Sequence, residues 1–144
     1  MKITVMNKQS AERYAMEQQC VRTIVISIAS CGCSEAFIIP NKFNKIVDVK
    51  FVHFNDTDSK AFTDGGINSL TAREIKEFVD KHIEADDFNE IIVHCEAGRS
   101  RSAGVAAALM VYLNGDDSDI FNSGMYNPNM LVYRTMLNVL MEDN

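Results

Sequence analysis

The chain is short of cysteine, proline and basic residues, and each shortage removes a class of protein from consideration. Four cysteines, Cys20, Cys31, Cys33 and Cys95, are too few and too unevenly placed for a secreted disulfide framework. They do not form the paired C-x2-C spacing of a zinc site either, so reduced thiols are expected. Lysine and arginine number 14 against 20 aspartates and glutamates, a formal net charge of −6. That balance argues against a broad surface for nucleic acid or membrane and still leaves room for a small, locally positive pocket. The opening stretch MKITVMNKQSAERYAM lacks the apolar core of a signal peptide, and no apolar run approaches the length of a membrane span. A cytoplasmic protein is expected. With only Pro40 and Pro128, and no repeat, low-complexity tract or linker, residues 1–144 read as one domain.

What is present alternates between two periodicities. KITVM, VRTIVISI, KIVDVKFVHF and NEIIVHC carry the β-branched, apolar pattern of strands. VRTIVISI is apolar enough to be buried on both faces. In KIVDVKFVHF the alternation Val47, Val49, Phe51 suits a strand. KQSAERYAMEQQ reads as a helix with Ala11, Tyr14, Ala15 and Gln18 on one side. SCGCSEAF reads as a loop or a short helical turn. SLTAREIKEFVDKHIEA is a second helix, for which Thr71 and Glu74 make a capping box and Ile75, Phe78, Val79, His82 and Ile83 fall on one stripe. SRSAGVAAALMVYLN is a buried, alanine-rich helix. NPNMLVYRTMLNVLMED supplies a last amphipathic helix after Pro128, with Leu131, Met136, Val139 and Leu140 facing the core. The expected fold class is α/β, a central, mostly parallel twisted sheet flanked by helices. Ligands of such sheets bind at the carboxyl ends of the strands.

NEIIVHC delivers Cys95 to that edge, at the head of HCEAGRSRSAG. Backbone N–H groups of a strand-to-helix turn can curl into an anion-binding nest, and the helix N-terminus adds its positive end. A cysteine placed there has a lowered pKa and thiolate character. Arg101, six residues later, offers a planar fork that matches two oxygens of a phosphate. Gly98 allows backbone angles that other residues resist, and keeps a side chain out of the anion's space. Ser102 can hydrogen-bond the sulfur from the helix side and ease its departure from an intermediate. His94 orders the loop through hydrogen bonds rather than acting as a base. Singly, each residue has an ordinary structural explanation, such as a small buried hydrophobe for the cysteine or a plain turn for the glycine. Together, after a strand and before a helix, they make the one specific signal in the chain.

HCEAGRSRS resembles the H-C-x-x-G-x-x-R-S/T signature of the cysteine-dependent protein tyrosine phosphatase superfamily. Chain size and the order of elements are similar to its compact dual-specificity branch, including small bacterial and phage relatives. The resemblance implies a metal-independent phosphomonoesterase that forms a phosphocysteine intermediate and needs no cofactor. Its partner would be a phosphorylated protein, with phosphotyrosine the primary substrate and phosphoserine or phosphothreonine open. Cys95 would be the nucleophile, and Glu96, Ala97, Gly98, Arg99, Ser100 and Arg101 would cradle the phosphate, so that phosphate or sulfate can occupy the site. Low-molecular-weight phosphatases and arsenate reductases place the cysteine loop near the N-terminus, whereas here it comes late.

The leaving oxygen needs a proton, and the family takes it from an aspartate just after an upstream strand. FNDTDS offers Asp56 and Asp58. Asp56 is favoured because it follows the strand directly; Asp58 is the fallback, and Asp64 reads as a loop residue. Cys31 and Cys33 read as ordinary loop cysteines, the other reading being resolving thiols for an oxidised Cys95. His53 and His82 read as a strand-end and a helix-stripe residue rather than metal ligands. Two other functions stay open: hydrolysis of a non-protein phosphate, such as an RNA 5′ end or a lipid headgroup, and phosphate binding without turnover. Glu96 beside the nucleophile does not favour a highly charged inositol.

Overall fold

The computed structural model describes residues 1–142. Ten short elements follow one another. They are strand β1 (Lys2–Asn7), helix α1 (Lys8–Met16), strands β2 (Thr23–Ala29) and β3 (Ile46–His53), a 3-10 turn (Phe62–Asp64), helix α2 (Ser69–Ala85), strand β4 (Glu90–Cys95), and helices α3 (Arg101–Asn114), α4 (Ser118–Phe121) and α5 (Met130–Leu140). The strands form one sheet in the order β1-β4-β2-β3, and all three pairings are parallel. β4 is buried along its whole length and β2 along all but its last residue, as their β-branched runs demand.

Alternation along the strands divides the interior in two. Ile24, Ile26, Ile28, Ile91, Val93 and Cys95 face a large core closed by α2, α3 and α5. Val25 and Ile92 face the other way, onto Ala11 and Ala15 of α1 and onto Ala36 and Ile38. The first ten residues of α3, Arg101 to Met110, are all buried. Its alanines let the helix lie close to both the sheet and α5. Gly104 takes this furthest, because a Cβ there would come within 2.9 Å of the Asn129 carbonyl and 3.0 Å of Val132.

Several details depart from the sequence reading. α1 stops at Met16, so Gln18 is exposed and outside it. Buried Asn44 donates to the Ala15 carbonyl at 2.8 Å, and Gln19 N–H donates to Phe43, turning the chain away. Thr71 and Glu74 do not form a capping box. α2 begins at Ser69, three residues earlier than a Thr71 cap would start it, and its cap is Asn68, which accepts from Thr71 N–H at 2.9 Å. Ile83 lies at the margin of the α2 stripe and is exposed, and Ala72 is buried in its place. On the edge strand β3, Val47 is also exposed. The register slips between Thr23 and Ile24, so that Thr23 pairs with Ile46 and Ile24 with Asp48. This bulge puts Ile46 and Val49, three residues apart, on the same face. In α5, Leu131, Met136, Val139 and Leu140 are buried as expected; Asp143 lies outside the described residues. Among the described residues, no helix is long and apolar enough to cross a membrane.

Candidate active site

β4 ends at Cys95 and α3 begins at Arg101, so Glu96 to Ser100 form the connecting loop. Gly98 is the pivot of this loop, with φ +68. A Cβ on it would sit 2.6 Å from Asn7 N and Met6 C, so the residue must be glycine for the β1–α1 junction to fit beneath the loop. The close approach is therefore to backbone, not into the anion's space as the sequence suggested. The same junction is tied on by Lys8 N–H, which donates to the Glu96 carbonyl at 3.2 Å.

Cys95 lies almost wholly below the surface. Its sulfur is 3.0 Å from Ser102 Oγ and accepts from Gly98 N–H at 3.3 Å. Burial pushes the thiol pKa up. The Ser102 hydroxyl, the Ser102 and Gly98 amides and the Arg101 charge together outweigh it, so the net shift is downward, toward thiolate. His94 is buried and uses both ring nitrogens, Nε2 with Ser27 Oγ at 2.6 Å and Nδ1 with the Cys95 carbonyl at 3.1 Å. A carbonyl can only accept, so Nδ1 carries the proton and Nε2 accepts from Ser27. Burial, the largest influence, lowers the His94 pKa. A neutral imidazole engaged on both sides orders the strand end and has no free nitrogen for the thiol.

Arg101 is buried too. Its Nη1 donates to Ser30 Oγ and to the Phe54 carbonyl, both at 2.9 Å. These bonds fix the guanidinium plane, and the Nε–Nη2 edge remains able to grip two oxygens of an anion. Glu96, Ala97 and Arg99 are exposed on the loop, and Gly98 and Ser100 are half-buried. A cavity of about 560 Å³ beside the loop is lined by Lys8, Ser30, Cys33, Ser34, Glu96 and Arg101, among others.

The two candidate aspartates separate clearly. Asp56 Oδ1 accepts from Ser100 Oγ at 2.9 Å, so Asp56 is bonded to the signature loop. Ser100 stands at the N-cap of α3 but does not cap it, its hydroxyl being directed to Asp56 instead. Asp58 lines a different cavity of about 370 Å³, with Lys60, Met130 and Arg134. Asp64 belongs to the 3-10 turn. Cys31 and Cys33 are free, exposed thiols. Cys31 Sγ is 3.6 Å from the Gly65 carbonyl, while Cys33 faces the cavity beside the loop. His53 ends β3, 3.9 Å from Glu35. His82 sits between Asp87 and Asp48, its nitrogens 2.9 Å from each. Sequence reasoning missed Ser27, Ser30 and Asn129, whose amide reaches Asp56 Oδ1 at 2.8 Å. Only Asn129 left a signal, as an asparagine placed to cap the last helix.

An all-parallel sheet with a cysteine–arginine turn at the carboxyl end of a central strand defines the fold of the cysteine-dependent tyrosine and dual-specificity phosphatases. Solved structures share it. Human tyrosine phosphatase-like serine/threonine/tyrosine-interacting protein is 20% identical, with a TM-score of 0.58 over 94% of this chain and 89% of that one. Human DUSP28 is 15% identical, with a TM-score of 0.60 over 96% and 90%. PTPMT1, solved in complex with PI(5)P, is 15% identical, with a TM-score of 0.54 over 96% and 90%. No curated protein matches the chain in sequence. The family model of the Rit1 DUSP-like domain matches residues 69–141, just over half of the chain, from α2 through the signature loop to α5. The chain therefore belongs to the Rit1 DUSP-like domain family, within the cysteine-dependent protein tyrosine phosphatase superfamily.

Proposed function

We propose that residues 1–144 act as one phosphatase domain, a metal-independent phosphomonoesterase for phosphoproteins that works through a phosphocysteine intermediate. The observation that carries this reading is the environment of Cys95. The thiol is held toward its thiolate by Ser102, Gly98 and Arg101, and Asp56 is bonded to the same loop.

In the first step the Cys95 thiolate attacks phosphorus. The P–O bond to the leaving group breaks, and the Asp56 proton passes to the departing oxygen. Loop amides from Glu96 to Arg101 and the Nε–Nη2 edge of Arg101 hold the non-bridging oxygens. In the second step water attacks the phosphocysteine and gives its proton to Asp56. The sulfur leaves as thiolate, accepting from Ser102, and inorganic phosphate is released. Each charge in the cycle is met by a group of the chain itself.

Phosphotyrosine is the first substrate class, because phenoxide leaves more readily than an alkoxide. Phosphoserine and phosphothreonine are secondary. A lipid phosphate is the second reading, favoured by the shared fold of a neighbour bound to PI(5)P. The exposed carboxylate of Glu96 beside the nucleophile weighs against a polyanionic headgroup. The test is hydrolysis of p-nitrophenyl phosphate by wild type, Cys95→Ser and Asp56→Asn. It is followed by a panel of phosphotyrosyl and phosphoseryl peptides, phosphoinositide vesicles and RNA with a 5′ phosphate. Turnover abolished by Cys95→Ser and highest on phosphotyrosyl peptide is expected. Unchanged activity in Cys95→Ser would end the mechanism, and preference for the vesicles would move the assignment to lipid. Tight phosphopeptide binding without any turnover would make the chain a binding module.

A further inference from the structure

The N-terminal end of α5 meets both halves of the site. Asn127 N–H donates to the Arg99 carbonyl at 2.9 Å, and Asn129 N–H to the Ser100 carbonyl at 3.0 Å, so this segment is bound to the signature loop. The Asn129 side chain then reaches in two directions. Its Oδ1 accepts from Val132 N–H at 3.1 Å and caps α5. Its Nδ2 donates to Asp56 Oδ1 at 2.8 Å and to the Thr57 carbonyl at 3.1 Å. The amide can have only this orientation, since a backbone N–H faces one end and two acceptors face the other.

Ser100 and Asn129 thus converge on the same oxygen of Asp56. With Oδ1 held by two donors, the proton of the acid form belongs on Oδ2, the oxygen free to turn toward a leaving group. The second bond, to Thr57, holds the backbone just beyond the aspartate, so both the carboxyl and its loop hang from α5. Nothing else about α5 requires this, because a helix cap needs only the oxygen of the asparagine.

We infer that Asn129 is the positioning residue of the acid loop, fixing the Asp56 carboxyl and its proton-bearing oxygen relative to the signature loop. This rests on the reading of Asp56 as the general acid. Asn129 touches no reacting atom; it acts through Asp56 and the Thr57 carbonyl. Gly104 is the companion feature, since only a residue without Cβ lets the Asn129 backbone come this close to α3.

The test uses Asn129→Ser, which retains a good helix cap and removes the amide donor. Two esters are compared, p-nitrophenyl phosphate, whose leaving group needs little protonation, and phenyl phosphate, whose leaving group needs much. Amide hydrogen exchange across residues 55–60 is read in parallel. The expected result is faster exchange in that loop, an unchanged KM, and a kcat on phenyl phosphate lowered by roughly tenfold or more, with a much smaller loss on p-nitrophenyl phosphate. In an Asp56→Asn background the same substitution should cost nothing further on phenyl phosphate. Unchanged exchange at 55–60, or an equal loss on both esters, overturns the inference while leaving the phosphatase reading intact. A wild type inert on both esters overturns that reading and the catalytic role of Asn129 with it.

Discussion

The hydroxyl of Ser102, the second residue of α3, lies 3.0 Å from the thiol of Cys95 at the end of β4. Of the influences on the thiol, only burial raises its pKa, and the Ser102 side chain is the largest of those that lower it. In Ser102→Ala the downward influence shrinks and burial counts for more. The pH at which Cys95 is half-alkylated by iodoacetamide in a fixed time should therefore move up. Loss of a hydrogen bond to a charged sulfur amounts to about 1.5–3 kcal/mol. Breakdown of the phosphocysteine should slow by about 10- to 100-fold. Pre-steady-state kinetics on p-nitrophenyl phosphate would register this as a burst followed by slow turnover. Alkylation midpoints that coincide in the two proteins would contradict the assignment of Ser102.

Gly98 is constrained twice, by φ +68 and by the backbone of Met6 and Asn7 at 2.6 Å from any Cβ. Gly98→Ala should therefore lose about 1–3 kcal/mol of stability from backbone strain alone. It should also lose the Gly98 N–H bond to the sulfur. Chemical denaturation measures the first effect and vanadate affinity the second. Gly32, with a positive φ but no atom within 4 Å of its Cβ position, serves as the control and should show only the strain.

His94 couples the site to pH through stability. Its folded-state pKa is lowered, chiefly by burial. The unfolded chain therefore takes up its proton first as pH falls. Stability from this group is present above the ordinary histidine pKa of about 6.5 and is lost below it, toward the folded value. Ser27→Ala removes the donor to Nε2 and leaves a buried acceptor unsatisfied, a loss of about 1–3 kcal/mol at neutral pH. Urea titrations between pH 5 and about 8 should show a slope in wild type that flattens in His94→Asn. A slope of the opposite sign would mean that His94 is charged in the fold.

Gly104→Ala brings a methyl within 2.9 Å of a backbone carbonyl and 3.0 Å of Val132. α5 must shift away from α3 to admit it, with an expected destabilisation of about 1–3 kcal/mol. Because Asn127 and Asn129 hold the signature loop from the same segment, activity should fall further than unfolding alone explains. Comparing kcat at a temperature well below both melting transitions would separate the two effects.

The order of elements and the signature turn are legible in the sequence because they rest on local rules. β2 and β4 are continuous apolar runs, and the cysteine, glycine and arginine sit at fixed spacing between a strand and a helix. Where α1 ends is not legible, because Asn44, far along the chain, accepts that task by bonding Ala15. The bulge on β3 is also hidden, since it is set by pairing with β2. The α2 cap was open to local reasoning, and Asn68 competes there with Thr71 as two good capping residues three apart. At the site, Cys95, Arg101, Ser102 and Asp56 could be named from residue chemistry and family resemblance. Ser27 and Ser30 could not, because each enters the site from a distant segment by a side-chain bond that leaves no periodic trace. Asn129 is legible only as a cap of the last helix, and its bond to Asp56 is not.

The most direct measurement is rapid acid quench of wild type during turnover of p-nitrophenyl phosphate, with mass spectrometry of the peptide that contains Cys95. Phosphate covalently attached to Cys95 is expected. It should accumulate in Ser102→Ala and be absent from Cys95→Ser. Turnover of the ester with no phosphate on Cys95 at any quench time, or with phosphate on another residue, would contradict the proposed chemistry.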